Sequence, residues 1–161
     1  PKVAPPGSDL RLIITGLKIS TDLERIGDLS VNLCERVLEL LEAPPLKPLI
    51  DLPRMAEKTA RMVRDSLDAY VRRDAELAES VCLRDDEVDA LNDQIFRELL
   101  TYMMENQANI PRALGLSMIG RYLERIADHA TNISQMVIYL VKGKDIRHMH
   151  LAEKKPEPEG T

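Results

Sequence analysis

Breaker residues fall at only a few places in this sequence, and each long stretch between them repeats its apolar residues at helical spacing. Ser8 or Asp9 can cap a first helix from near Leu10 to about Glu42. Within it Leu12, Ile19, Leu23, Ile26, Leu33, Val37 and Leu40 recur at intervals of three, four and seven, a continuous seam on one face. Ala43-Pro44-Pro45-Leu46-Lys47-Pro48 forbids continuation and predicts a linker. A second helix is expected from a cap at Asp51 to about Arg72, with Pro53 tolerated in its first turn and Leu52, Ala56, Ala60, Val63, Leu67 and Tyr70 as its seam. Asp74 predicts the start of a third, from Ala75 to about Glu105, carrying Leu77, Val81, Val88, Leu91, Ile95, Leu99 and Tyr102. Asn109 caps a fourth, with Pro111 near its start, Ile119, Leu123, Ile126, Ile133, Val137 and Leu140 as its seam, and an end near Val141 before Gly143. No stretch reads as a strand, so the expected class is all-α.

Composition agrees with that class. Hydrophobic residues make up 44% and charged residues 30%, which is globular, but aromatics are only 3%. A core of Leu, Ile, Val, Met and Ala suits helix on helix better than a sheet, which favours β-branched and aromatic residues. The net charge of −5 makes nucleic acid a poor partner. Cys34 and Cys82 lie outside any CxxC pattern, a sparse usage that fits a reducing cytoplasm and predicts core filler rather than ligands. No apolar run approaches the ~18 residues a membrane span needs. There is no signal-peptide pattern either. The tail from about residue 149, rich in Lys, Glu and Pro, is expected to be disordered.

The first and fourth helices repeat one another. Leu23-Glu24-Arg25-Ile26-Gly27-Asp28 aligns with Leu123-Glu124-Arg125-Ile126-Ala127-Asp128, and Ile19, Asn32, Val37 and Leu40 meet Ile119, Asn132, Val137 and Leu140 at the same offset. Any core helix needs an apolar seam, so that part could recur by chance. Recurrence of Glu, Arg, Asp and Asn in register is not explained by packing, and implies an internal repeat. The fourth helix has two helical partners before it, completing an up-down-up bundle. The first has none. Orphaning its seven seam residues would forgo roughly 10–20 kcal/mol of burial, so it must dock on the bundle, pair with another copy, or belong with helices upstream.

The same repeat carries the candidate chemistry. Glu24 and Asp28, Glu124 and Asp128, and Asp85 and Asp89 are each four residues apart, so each pair aims two carboxylates at one spot on a helix face. Two like charges so placed repel by a few tenths of a kcal/mol unless a cation or basic side chain offsets them. Asn32 and Asn132 continue the rows with a neutral oxygen. Oxygen-only clusters suit hard cations: Mg²⁺, Mn²⁺, Ca²⁺ or iron. A solvated face with Arg25 and Arg125 as local partners reads equally well for the two repeated rows, which lie nearly opposite the seam. Asp85 and Asp89 instead share a stripe with Ala78, Cys82, Phe96 and Met103, so they flank the core.

Catalytic readings find no support. A di-iron bundle enzyme needs Glu-x-x-His, but Gly27 and Ala127 stand where the His would be. His129 projects about 100° from Asp128 and reads as a surface residue, while His148 and His150 fall in the tail. There is no Gly-rich phosphate loop, no Ser/His/Asp set and no Cys beside a base. Met103 and Met104 read as core.

On the two Leu-Glu-Arg-Ile-x-Asp blocks, on Leu100-Thr101-Tyr102-Met103-Met104-Glu105, on Asp85-Asp86-Glu87-Val88-Asp89 and on Val141-Lys142-Gly143-Lys144-Asp145-Ile146-Arg147-His148, the sequence resembles the PhoU family from about residue 8 to 150. That family is built of two repeated, antiparallel, spectrin-like three-helix bundles. The resemblance implies that residues 1–48 hold the last helix of an incomplete first repeat plus linker, and residues 49–148 a complete second repeat. It also implies that the first two helices of the family fold are absent. Family Glu/Asp-x-x-x-Asp motifs ligate divalent or trivalent metal (iron, Mn, Mg, Zn or Ca), which implies Glu24 and Asp28 for one cluster and Asp85, Asp89, Glu124 and Asp128 for another, with Asn32 and Asn132 as weaker additions. The role implied is negative regulation of the phosphate-starvation response and of phosphate uptake. Its setting would be the cytoplasm, as a homo-oligomeric adaptor between the ATPase of a phosphate ABC transporter and a sensor histidine kinase, reaching the membrane only through those partners. The alternative is a helical metal-binding or oligomerisation module, such as the PhoU-like cytoplasmic domain of another transporter.

Overall fold

The computed structural model describes residues 6–143, and within them the chain is helical with no strand. Five α-helices follow one another: α1 (Pro6–Leu41), α2 (Asp51–Arg72), α3 (Ala75–Leu83), α4 (Asp85–Glu105) and α5 (Ile110–Lys142), with a 3₁₀ turn at Gln107–Asn109. The expected tail, His148 and His150, and the end of the Val141–His148 block lie outside the described residues.

The termini follow local chemistry, not always as the sequence suggested. Asp74 caps α3, its Oδ1 accepting from the Leu77 backbone N–H at 2.9 Å. Gly143 closes α5 in the left-handed region, at φ 64°. Asp51 does not cap α2. It is the first helical residue after Ile50, where its charge faces the positive end of the helix dipole. Asn109 likewise caps nothing, because its amide is turned back to donate to the Tyr102 carbonyl at 3.0 Å. Asn106 caps the intervening 3₁₀ turn instead.

The third expected helix, 75–105, is broken at Arg84. Neither Gly nor Pro causes the break. Arg84 sits at φ −84°, ψ −10°, its N–H closing a tight turn onto the Val81 carbonyl at 3.1 Å. Asp85, Asp86 and Glu87 then form the first turn of a fresh helix, where negative charge is favoured.

Every other helix packs on α5. α2, the α3–α4 pair and α5 make the up-down-up bundle. Its core is Leu52, Met55, Met62, Val81, Val88, Leu91, Ile95, Leu99, Leu116, Ile119 and Leu123. α1 lies antiparallel along the remaining side of α5: Ile19 packs on Ile133 and Met136, and Leu40 on Gly115. Among the three ways of covering the first seam, docking within the chain is therefore used. Coverage is partial, since Leu12 and Leu23 keep 36% and 38% of their surface exposed. Of the cysteines, Cys82 is partly buried while Cys34 is exposed, contrary to its expected place in the core.

Ile133, with no exposed surface, joins α1 to α5. Ile133→Ala is expected to cost about 2–4 kcal/mol in urea unfolding, whereas Val71→Ser, 78% exposed, stays within about 0.5 kcal/mol.

Candidate metal site

Three carboxylates converge where α4 begins to run back along α5. One oxygen each from Asp85, Asp89 and Asp128 lies within 4.8 Å of the other two. Asp85 and Asp89 are one turn apart on α4, and Asp128 faces them from α5, where Ala127 and Ala130, both fully buried, let the helices come close. Carboxylates gathered this closely from two helices would together be able to hold a small hard cation.

Of six buried side-chain oxygens without a partner among the described residues, three lie here; the other three are the hydroxyls of Thr15, Thr59 and Ser134. Asp85 Oδ1, Asp89 Oδ1 and Thr131 Oγ1 are buried and meet no hydrogen-bond partner among the described residues. The Thr131 hydroxyl stands near enough to Asp85 to favour its charged form, but not in hydrogen-bonding geometry. Buried polar atoms left unpaired cost about 1–3 kcal/mol each, and an oxygen-seeking cation would remove that cost for all three. The donor set fits a hard cation.

Charge repulsion points the same way. Burial, then the charges of Asp89 and Asp128, together push the Asp85 carboxyl up to about 6. Asp89 is raised by burial, then by Asp86 and Asp93. Asp128, the exposed member, is raised by burial and then by Asp89, with His129 and Arg125 partly offsetting. Glu124 flanks the cluster, raised by burial and then by Asp89 and Asp128. Its carboxylate accepts a hydrogen bond from the Asn92 amide. Gly120 makes room for this contact, because a Cβ there would come within 2.5 Å of Asn92 Oδ1.

Of the residues named from the sequence, Asp85, Asp89 and Asp128 are brought together, and Glu124 stands beside them. Asn132 is partly buried on α5, and no hydrogen bond of its side chain is found among the described residues. Glu24, Asp28 and Asn32 are exposed on α1, and no third carboxylate joins them among the described residues. Neither Arg25 nor Arg125 forms an ion pair there. Sequence reasoning missed Thr131 and Asn92. Both continue their acidic rows at an i, i+3 step, Asn92 from Asp89 and Thr131 from Asp128, so spacing could have flagged them. It also misread His129, whose Nδ1 lies 2.8 Å from Asp22 Oδ1 and ties α5 to α1. Burial, then the charge of Asp85, pushes the Cys82 thiol up to about 11.

Comparison with known proteins places this geometry among relatives. The PhoU domain model matches residues 2–37 and 52–137. A phosphate-specific transport system accessory protein PhoU homolog of Pseudomonas putida is 45% identical over 158 residues, covering 98% of this chain. One from Aquifex aeolicus is 45% identical over 150 residues, 93% of the chain. The chain spans 62% and 68% of those two proteins. The crystal structure of PhoU from Pseudomonas aeruginosa superposes with a TM-score of 0.83 at 42% identity, over 89% of this chain and 69% of that one. The phosphate transport system regulatory protein PhoU from Streptococcus pneumoniae gives 0.75 at 29% identity, over 89% and 66%.

A carboxyl raised in the folded state favours folding while protonated, and that contribution fades as pH rises through the folded value. In chelator-treated protein the stability due to Asp85 is therefore expected to fall between about pH 4 and pH 6. A shift of this size is at most ~3 kcal/mol, and partial solvent contact reduces it to about 1 kcal/mol. Asp85→Asn should flatten the slope and stabilise the chelated protein by that amount at pH 7. Thermal midpoints across pH check this, and an unchanged slope would exclude Asp85 as its source.

Proposed function

We propose that this chain, which belongs to the PhoU family, works as a regulatory accessory of phosphate transport, held in its working shape by metal bound between α4 and α5. The observation that carries the role is the match along almost the whole chain to proteins named as accessories of the phosphate-specific transport system. The family is one of non-catalytic accessory proteins, so its action is by contact rather than by chemistry. On this reading it is cytoplasmic and restrains uptake and the starvation response by contacting the transporter ATPase and a sensor histidine kinase. Among the described residues no helix is long and apolar enough to cross a membrane, which agrees with attachment through partners.

Metal binding is supported by the three orphaned oxygens and by the raised carboxyls around them. A bound divalent or trivalent cation would supply only charge neutralisation there. Asp85 and Asp89 present oxygens from α4, Asp128 from α5, and Glu124 is positioned by Asn92 to serve as a further donor. Drawn together, these side chains would pin the start of α4 to α5. For the first row we propose a weaker site at Glu24 and Asp28, completed by carboxylates from another segment or molecule.

Elemental analysis of the purified full chain tests the metal claim. Wild type is expected to carry metal and to gain about 2–3 kcal/mol of stability in excess metal, whereas Asp85→Asn/Asp128→Asn should lose both yet remain folded. Equal metal content in the two proteins would remove the site. Pull-down of the transporter ATPase and the kinase sensor domain tests the role: capture of neither would favour a helical metal-binding module without a phosphate function.

A further inference from the structure

On the α2 side of the Arg84 break lies a second polar cavity, of about 250 Å³. Lys58, Arg61 and the fully buried Met62 of α2 line it, with Arg84 and Glu87 opposite. Two of the cations are already fixed in place. Lys58 Nζ donates to Glu87 Oε2 at 2.5 Å. Arg84 donates from Nη2 to Asp65 Oδ2 at 2.7 Å and from Nε to the Ser80 carbonyl at 3.2 Å. Arg61 makes no ion pair among the described residues.

The fields of these side chains meet in one place. Among the residues lining the hollow, Lys58, Arg61 and Arg84 are cationic and Glu87 is the one carboxylate. That leaves two positive charges in surplus, in a chain whose net charge is −5. An ordinary solvated helix face balances its charges along the row; here the surplus is gathered around a hollow. Carboxylates that pair with Lys58 and Arg84 also hold their donors oriented, which lowers the cost of engaging an anion. Guanidinium and ammonium groups so arranged suit a compact oxyanion.

We propose that Lys58, Arg61 and Arg84 form a binding site for a phosphate-class oxyanion, either inorganic phosphate or a phosphate monoester. The charge geometry by itself calls for a small dianion; that it is phosphate rests on the regulatory reading above.

Titration of the full chain, followed by NMR on arginine Nε–H resonances, tests it with inorganic phosphate, O-phosphoserine and sulfate as separate probes. Phosphate or phosphoserine should shift Arg61 and Arg84 saturably at millimolar concentration. Arg61→Gln should weaken binding about tenfold, the loss of one charge-assisted contact, while Lys18→Gln on α1 leaves it unchanged. Tighter binding of phosphate assigns the free ion, and tighter binding of phosphoserine assigns an ester. Sulfate binding as tightly as either would overturn the phosphate assignment. No saturable shift with any probe, or equal affinity in Arg61→Gln, would overturn the site. Arg61 is exposed, so an unchanged thermal midpoint verifies that the variant is folded. Loss of this site with successful capture of the transporter ATPase would leave the regulatory role intact. Phosphate binding without that capture would do the reverse.

Discussion

Close approach of four helices to α5 is the constraint from which the rest of the structure follows. A helix that is approached from nearly every side cannot carry bulky residues all round, and α5 does not. Ala113, Gly115, Gly120, Ala127, Ala130 and Ser134 are all buried along it. Where the fit is tightest the chain has glycine. A Cβ at Gly115 would come within 2.8 Å of Leu40 on α1, and one at Gly120 would meet Asn92 on α4. An added carbon at either position would force the Leu40 or Asn92 side chain to move. The same small residues bring Asp128 and Thr131 up to α4, so the packing of the core also sets the geometry of the acidic cluster.

Electrostatics then divides the molecule at Arg84. Consecutive residues at the break serve clusters of opposite sign. Arg84 turns to Asp65 on α2, whereas Asp85 turns to Asp89 and to Asp128 on α5. A continuous helix would fix these two side chains about 100° apart; ending one helix and starting another frees their directions. The arrangement is costly in the absence of a counter-ion, as the raised carboxyls show. A fold optimised for stability alone would not gather three carboxylates beside Asp86, Asp93 and Glu124. That cost is the physical reason to read the cluster as a site rather than as surface.

What the sequence disclosed and what it withheld divide along the same line. Seams such as Val88, Leu91, Ile95 and Leu99 are intrahelical patterns, and they marked the core correctly. Pairs such as Asp85 with Asp89 are also intrahelical, so their shared direction was legible. Contacts between helices depend on rotation and depth, which spacing within one helix does not contain. Hence Thr131 beside Asp85, Asn92 on Glu124, and His129 on Asp22 went unseen. The break at Arg84 escaped because its cause is a run of acids favouring a new helix start, without the Gly or Pro that usually announces one.

The two copies of the repeated motif show why a motif is only half of such a site. Glu24 and Asp28 occupy the same positions on α1 as Glu124 and Asp128 on α5, with the same helical spacing. Yet α5 meets α4, whose Asp85 and Asp89 stand opposite Asp128, while α1 packs on α5 and touches Leu67 and Tyr70 of α2 but not α4 among the described helices. One row of two carboxylates on a solvated face is screened by water and repels weakly. The same row set against a second acidic helix is partly desolvated and meets further carboxylates, and its protons are held to higher pH. Partial burial against a partner helix, rather than the Glu-x-x-x-Asp pattern itself, is what distinguishes the copy on α5 from the copy on α1.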